Sequence, residues 1–495
     1  MWVLCPICGS ICSDFCYDWP MVDRLTQETV AFADALAFAS IPADVVDAAK
    51  RCLVDGIGVA IAGLETDVAR HLRSYSESIS ERGSCRLFGD PGQTVTASQA
   101  ALYYGACGNA LDWDDVQLPE GDARPFGLLM HGTTPILATI LAVTDFIRAE
   151  TGRAVTGEEF LTAFIAGWEV SGKLALTVTP DHYFNGFHTS GTLGTFGSAV
   201  AAGKLLGLSA EQLAWSIGHA SSMAAGVQAS MGTMTKPMHV GWCAARGIEA
   251  ALLARGGIDG PTDALDGPRG YLTTTSNGAD VSRVTGRFGN PFVLSDPGVS
   301  AKPYPCGAVT HPGMDALARV MVEQGLAADD VKHIVVSAGS KMWGVISYPF
   351  AETPFHAKYC FPFLLSAIAL RGCAGRAEFR DAFIKSDSCV AFQKKVEIKS
   401  DETLDTGGGD ILASRLDVET QDGRHIIVDG RNDYPGGPVV PLDNTAIDAK
   451  FSDATAALLR PEKAMALNSI LRTFDTQADA GVLLDTVGKI TVPAL

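Results

Sequence analysis

The chain of 495 residues carries 38 Lys and Arg against 56 Asp and Glu, a formal charge of −18, with 47% hydrophobic and 19% charged residues. That balance belongs to a folded globular protein, long enough for two or three domains, and its negative field repels phosphate backbones and anionic lipid, which argues against nucleic acid as a partner. If the ligand is itself an acid, a few local cations must hold it against that field.

The opening, MWVLCPICGSICSDFCYDWP, groups Cys5, Cys8, Cys12 and Cys16 without the paired spacing of a zinc ribbon. It also lacks the basic region and the apolar core of a signal peptide. Residues 1–22 are read as a poorly ordered Cys-rich extension. Other cysteines, such as Cys52, Cys107 and Cys243, sit singly in apolar runs and read as small buried hydrophobes of a reducing compartment. No apolar run approaches the ~18 residues of a membrane span, so no membrane partner is expected and the location expected is cytoplasmic.

From about Thr26 to Gly257 one helical pattern follows another: IPADVVDAAKRCLVDGIGVAIAG, with Pro42 near its start and Gly63 at its stop, then TASQAALYYGACGNALDWDD, GEEFLTAFIAGWEVSGKLAL and SAEQLAWSIGHASSMAAG. Strand signals are nearly absent there. Gly, Ala and Ser inside these patterns cost helix propensity, which is tolerable where they let backbones approach closely in a buried helical core. After LDGPRGYLTTTSNGADVSRVTG the character changes. VKHIVVSAG reads as a strand, HAKYCFPFLLSAIALRG as a buried helix, TGGGD at 406–410 as a loop, and ASRLDVETQDGRHIIVDG as a hairpin turning at Asp422-Gly423. From about Asn444 helical patterns return. The fold predicted is mainly α: a large helical domain from residues 23–275 and 441–495, with a smaller α+β lid domain inserted at 276–440.

Four clusters carry candidate chemistry. In LDWDD, Asp112, Asp114 and Asp115 end a helical pattern, where acids oppose the helix dipole; taken alone with His131 they read as a solvated acidic turn, and no compact metal pattern accompanies them. In FHTSGTLGTFGSAVAAGKLLGLS, His188 precedes Thr189 and Ser190, good N-caps at an anion-attracting helix start. Its Gly191, Gly194 and Gly197 lack both the dinucleotide spacing and a preceding strand, so they read as helix-packing positions. In MGTMTKPMHVG, Pro237 predicts an extended Lys236 projecting from a loop at a helix mouth beside His239. In AKPYPCGAVTHPGMDAL, two prolines stiffen a loop carrying Lys302 and Tyr304, with His311 just beyond. No G-x-S-x-G elbow or phosphate loop is present. The remaining kit of His, Lys, Tyr and Asp suits proton abstraction next to a carboxylate, with cations holding the acid groups and an imidazole or carboxylate moving the proton.

In their order along the chain, ALDWDD, HGTTPILATILAV, GFHTSGTLGTFGSAVAAGKLLGLS, MGTMTKPMHVG, YPCGAVTHP and TPFHAKYCFPF resemble the MmgE/PrpD family, from about Thr26 to the C-terminus. That family includes 2-methylcitrate dehydratase, cis-aconitate decarboxylase and iminodisuccinate epimerase. The resemblance implies a helical domain built from both chain ends with an α+β lid between, a homodimer, no metal and no organic cofactor. Carried over residue by residue, it implies a catalytic set of Asp112, His131, His188, Lys236 and His311. Lys236, Lys302, Tyr304 and His239 would serve the substrate, a small di- or tricarboxylic acid. His188 is the expected principal acid/base, Asp112 orients or shares a proton, and Tyr304 and Tyr348 both qualify as the lid tyrosine. Val116 stands where the cis-aconitate decarboxylase branch carries Thr, so loss of water is the leading expected reaction, with decarboxylation and epimerisation as alternatives. A non-catalytic scaffold is the alternative of another class, and the joint presence of Asp112, His188, Lys236 and His311 argues against it.

Overall fold

The structure, a computed structural model, describes residues 25–79, 83–118, 129–276, 278–405, 411–431 and 433–492. The Cys-rich stretch 1–22 and the loop expected at 406–410 lie outside the described residues. The first half is helical: α1 (Leu25–Ala35), α2 (Ala43–Gly63), α3 (Asp67–Ser78), α4 (Ala97–Ala110), α5 (Thr133–Thr151), α6 (Gly157–Val178), the short α7 (Asp181–Phe184), α8 (Thr189–Leu206), α9 (Ala210–Met223) and α10 (Thr235–Arg255). A small antiparallel pair, β1 (Cys85–Leu87) and β2 (Asp90–Val95), interrupts them. It was not foreseen, because three- and six-residue strands leave no periodic run long enough to read.

Local chemistry sets these boundaries. Thr96 and Gln99, Thr156 and Glu159, and Ser209 and Gln212 form reciprocal capping boxes at the starts of α4, α6 and α9, each satisfying two otherwise orphaned backbone groups. Gly152 and Gly207 stop α5 and α8 in the left-handed conformation that costs glycine least. The small residues inside the helices serve packing: a Cβ on Gly197 would overlap Ser171 and the Gly167 carbonyl of α6, and one on Gly241 would overlap the Leu102 carbonyl of α4. These contacts press α8 onto α6 and α10 onto α4, which seats the N-terminus of α8 and the first turn of α10 side by side at the site.

Beyond α11 (Tyr271–Thr275) and α12 (His311–Glu323) comes β3 (Val331–Ala338), followed by α13 (Ser340–Val345), α14 (Pro354–Ala357), α15 (Phe361–Arg371), α16 (Asp381–Ile384), α17 (Asp387–Gln393), β4 (Val396–Ser400), β5 (Ser414–Thr420) and β6 (His425–Asp429). The strands form a sheet in the order β4-β3-β5-β6, with β3 parallel to β4 and the other pairs antiparallel. Leu416 and Val418 of β5 alternate inward, opposite Val336 and Ile334. The β5–β6 turn carries Gly423 at φ 86, as the Asp-Gly pair predicts.

Two large hydrophobic clusters organise the interior, with a small third of Val59, Ala62, Trp113 and Ala454 beside the turn after α4. One gathers α1–α6 and α8–α10 with Val284 and Phe292–Leu294, and takes Ile447, Phe451, Leu467, Leu471 and Leu483 from α18 (Asn444–Thr455), α19 (Pro461–Arg472) and α20 (Gly481–Val487). Phe451 sits against Gly58 of α2. The other gathers β3, β5, α12 and α15 and reaches back to Val116, Leu118, Leu129 and Tyr183. Residues 112–118 and 129–131 therefore lie where the two clusters meet. Among the described residues no helix is long and apolar enough to cross a membrane.

Candidate active site

The turn after α4 is the centre of the site, and it corrects the expectation of a solvated acidic turn. Asp112, Asp114 and Asp115 are all buried, at 3%, 1% and 2% exposure. Asp112 adopts φ 52, a left-handed conformation in a non-glycine residue that is strained and persists where surrounding contacts enforce it. Lys236 Nζ donates to Asp112 Oδ1 at 2.6 Å and Lys302 Nζ donates to the same oxygen at 2.8 Å and to the Asp112 carbonyl at 2.9 Å. Burial pushes the Asp112 carboxyl up, but Lys236, Lys302 and His131 outweigh it and hold it well below the usual carboxylate range.

Lys236 is not on a loop, as Pro237 suggested, but is the second residue of α10. Proline fits there because a first-turn N–H has no intrahelical acceptor in any case. His188 is itself the N-cap of α8, with no side-chain cap bond, so its imidazole is free to face inward rather than to serve the helix end.

His131 is held by its Nδ1, 2.9 Å from the Asp115 carbonyl and 3.2 Å from Asp114 Oδ2. Both neighbours are acceptors, so the proton sits on Nδ1 and Nε2 keeps its lone pair toward Lys236 Nζ, 3.5 Å away. Asp114 is fixed in turn by Asn109 at 2.9 and 3.0 Å and by the Thr134 hydroxyl at 2.8 Å; burial pushes its carboxyl up, yet His131 and the two lysines bring it down to about 2. Asp115 takes the Thr133 hydroxyl and N–H, and burial still pushes it up to about 7. His188 Nδ1 lies 3.1 Å from His239 Nδ1. Burial, the neighbouring Lys236 and the other imidazoles lower His188 well below its ordinary value, and burial with Lys236 lowers His239 to about 4. The imidazoles are therefore neutral at pH 7.

Asp112, His131, His188, Lys236 and Lys302 line one cavity of about 60 Å³, together with Tyr183 and Tyr359. A larger cavity of about 210 Å³ is lined by Arg51, Asp55 and Asp115 but by no lysine or histidine among the described residues; the smaller one brings together the ammoniums and imidazoles. His239 stands behind His188. His311 and Tyr304 are not brought into the cavity lining: His311 Nε2 meets Cys306 Sγ at 3.3 Å, and its ring packs between Tyr304 and Tyr434. Tyr348 stacks on His356. Three residues that the sequence reading missed are Tyr183 and Tyr359, both buried in the lining, the latter beside Asp112, and Lys358, whose ammonium donates to the Ala110 carbonyl at 2.6 Å and is lowered by burial to about 8. Tyr359 and Lys358 lie in TPFHAKYCFPF, where an apolar run disguises them as core.

Asp112, Asp114 and His131 bring ligand atoms within 4.8 Å of one another. A metal ion there would have to displace two ammonium groups from Asp112 Oδ1 and compete with Thr134 at Asp114, so the donor set is already satisfied without one.

The buried imidazoles make stability pH-dependent. Burial lowers His311 to about 3 and His239 to about 4, and lowers His131 and His188 as well. An unfolded imidazole takes a proton near pH 6.5, so between that pH and about 3 the unfolded chain binds more protons and stability falls as pH falls. Asp115, raised in the folded state, opposes this between about 7 and 4, as do Asp55 and Glu169, also raised by burial, but five lowered imidazoles, His182 with the other four, outnumber these three carboxyls. The urea midpoint is expected to drop progressively from pH 7.5 to 4.5, and an unchanged midpoint would contradict the burial of these rings.

Fold and site together define a mainly α-helical protein in which two ammoniums, a carboxylate and two imidazoles line one buried cavity. The chain belongs to the MmgE/PrpD family: residues 27–284 match the MmgE/PrpD N-terminal domain and residues 304–476 the MmgE/PrpD C-terminal domain. It is similar over nearly its whole length to cis-aconitate decarboxylase of Homo sapiens, 26% identical over 470 residues covering 94% of each chain. The Mus musculus cis-aconitate decarboxylase is 24% identical over 472 residues, 94% of this chain and 93% of the relative. That of Aspergillus terreus is 23% identical over 483 residues, 93% and 95%.

Proposed function

We propose that this protein is a lyase that acts on a small di- or tricarboxylic acid by proton transfer beside a carboxylate, with no metal or organic cofactor, and that the group lost is CO₂. The observation that carries this reading is the buried Asp112 carboxylate shared by Lys236 and Lys302 in one cavity with two neutral imidazoles. Loss of water, the leading expectation from sequence, becomes the second reading, because the full-length relatives bear the decarboxylase name.

The donors are not exhausted. An ammonium has three N–H groups; Lys302 directs two at Asp112, whereas Lys236 directs one there and one toward His131 Nε2 and retains the third for a substrate carboxylate. In loss of CO₂ from a β,γ-unsaturated acid, the electron pair of the C–CO₂ bond becomes a new C=C bond, and the pair of the old C=C bond takes a proton at its far carbon. One proton is consumed and CO₂ departs. His188 supplies that proton from Nε2 while its Nδ1 takes one from His239 Nδ1, 3.1 Å away, and His239 takes a proton from solvent at Nε2, so the proton consumed comes from solvent and no imidazolate is left on either ring. His131, with Nε2 bare, is the acceptor for a proton α to a carboxylate, the step that loss of water requires.

The chain is proposed to act as a homodimer in a reducing cytoplasm. Exposed Val227, Met234 and Trp242 (52%, 43% and 42%) beside the site support the first part, and unpaired cysteines among the described residues support the second. Sedimentation analysis checks the assembly.

Incubation in D₂O with cis-aconitate-like, citrate-like and aspartate-derived acids, followed by proton NMR, tests the reaction. The expected result is loss of a carboxyl group with one deuterium on carbon in the product. Water loss without CO₂ would assign the second reading, and no exchange with any acid would defeat both.

A further inference from the structure

Among the described residues five lysines are buried: Lys173, Lys236, Lys302, Lys358 and Lys450. Lys173 pairs with Glu169, Lys236 and Lys302 with Asp112, and Lys450 with Asp55. Lys358, 4% exposed, is the one that forms no ion pair among the described residues. Its ammonium donates to the Ala110 carbonyl at 2.6 Å and lies 4.6 Å from the centre of the Phe355 ring. Taking an ammonium out of water with no carboxylate beside it is costly, so the position calls for a reason beyond packing.

The contacts of Lys358 join separate pieces of the site. Ala110 ends α4, just before the strained Asp112. Its carbonyl is among the last-turn acceptors that a helix leaves without an N–H partner, and a cation there meets the negative end of the helix dipole. Lys358 caps α14, and its own carbonyl accepts the Gly307 N–H at 2.9 Å. Gly307, on the loop that carries Lys302, lines the active cavity, as does Tyr359, the next residue after Lys358. The link also crosses between the two large hydrophobic clusters, since Ala110 belongs to the first and Ala308, Ala357 and Tyr359 to the second.

We propose that Lys358 is a positioning residue for acid binding: its charge-assisted bond to the Ala110 carbonyl locks the turn of Asp112 against the loop of Lys302, so that Lys236 and Lys302 are in place before a carboxylate arrives. Lys358 does not itself line the cavity. The inference rests on that cavity being the active site proposed above. The groups acting on the Lys358 ammonium are Asp112 from the turn, Lys236 from α10, and Lys302 and Cys306 from the loop before α12. The Cys306 thiol is pushed up to about 12 by burial and stays neutral. Burial and the two lysines, against Asp112, bring Lys358 down to about 8. Above that pH its bond to Ala110 loses the strength that charge confers, the lock loosens and acid binding weakens. Arginine in its place would keep its charge throughout.

Titration calorimetry with propane-1,2,3-tricarboxylate, a saturated acid with no C=C bond to react through, reads binding apart from turnover; cis-aconitate turnover and a thermal melt are measured beside it. Lys358→Met is expected to weaken binding about tenfold at pH 7, the scale of one hydrogen bond to a charged group, in a protein that still melts cooperatively. Wild-type affinity is expected to fall several-fold from pH 7 to pH 9. Lys358→Arg is expected to recover most of the binding lost with methionine and to hold it across that range. A folded methionine variant that binds like the wild type overturns the proposal, as does an arginine variant that binds no better than the methionine one or weakens with pH as steeply as the wild type. A wild-type affinity that is flat from pH 7 to 9 overturns it even if neither variant folds. Where the wild type still turns over cis-aconitate in these cases, the role of Lys358 falls alone and the lyase reading stands. If the wild type neither binds nor turns over any acid, both fall.

Discussion

Replacing Lys236 with methionine is expected to lower kcat/KM by about 10²–10³-fold, the scale of removing one preorganised donor from a developing charge, while the protein stays folded. Methionine keeps the length and most of the apolar stem and removes the three N–H groups. In the wild-type cavity Lys236 and Lys302 together outweigh Asp112 by one charge; without Lys236 the pair is neutral, and an incoming carboxylate meets no net attraction. The folding cost is contained because Asp112 keeps Lys302 at 2.8 Å, so the carboxylate is not left as the uncompensated buried charge that makes broken pairs expensive. Steady-state kinetics beside a thermal melt checks this. His188→Ala is expected to lower kcat more than it raises KM, since the imidazole moves the proton and Lys236 holds the acid. Full turnover in both variants would remove these residues from the mechanism.

The helical class was legible because period, caps and small-residue stripes agree over long stretches: Thr96 with Gln99, Thr156 with Glu159, and the glycines of α8 against α6. The hairpin at Asp422-Gly423 was legible for the same reason, a local turn chemistry with one solution. The site was legible as a set of residue types but not as an arrangement. Asp112 reads as solvent-exposed because its partners lie 124 and 190 residues away, and nothing local announces that an acidic turn will be buried between two hydrophobic clusters. Lys236 reads as a loop residue because proline restricts the residue before it, but a helix's first turn relaxes that restriction, and Lys236 is the second residue of α10. Tyr359 and Lys358 were hidden by an apolar run in which the tertiary position of each side chain, not its spacing, decides its role. His311 was drawn toward the site by resemblance, while its own contacts are with Cys306, Tyr304 and Tyr434.

The largest expected loss of stability comes from the C-terminal helices. Lys450 of α18 pairs with Asp55 of α2 at 2.6 Å, both nearly fully buried, and donates to the Trp113 carbonyl at 2.7 Å, with its ammonium 5.2 Å from the Trp113 ring. Burial pushes Asp55 up and Lys450 down, each partly restored by the other, so neither is comfortable alone. Lys450→Met is therefore expected to cost about 3–5 kcal/mol in chemical denaturation, the range for breaking a buried pair and stranding one partner. The double variant Asp55→Leu with Lys450→Met should recover most of that loss, because no charge is left in the core. Activity is expected to recover less than stability: Trp113 lies between Asp112 and Asp114, and both variants lose the bond that holds its carbonyl. If single and double variants are equally unstable, the Trp113 contact rather than the charge pair fastens α18 to the turn. If stability and activity recover together, the turn holds its strained Asp112 without help from the C-terminal segment.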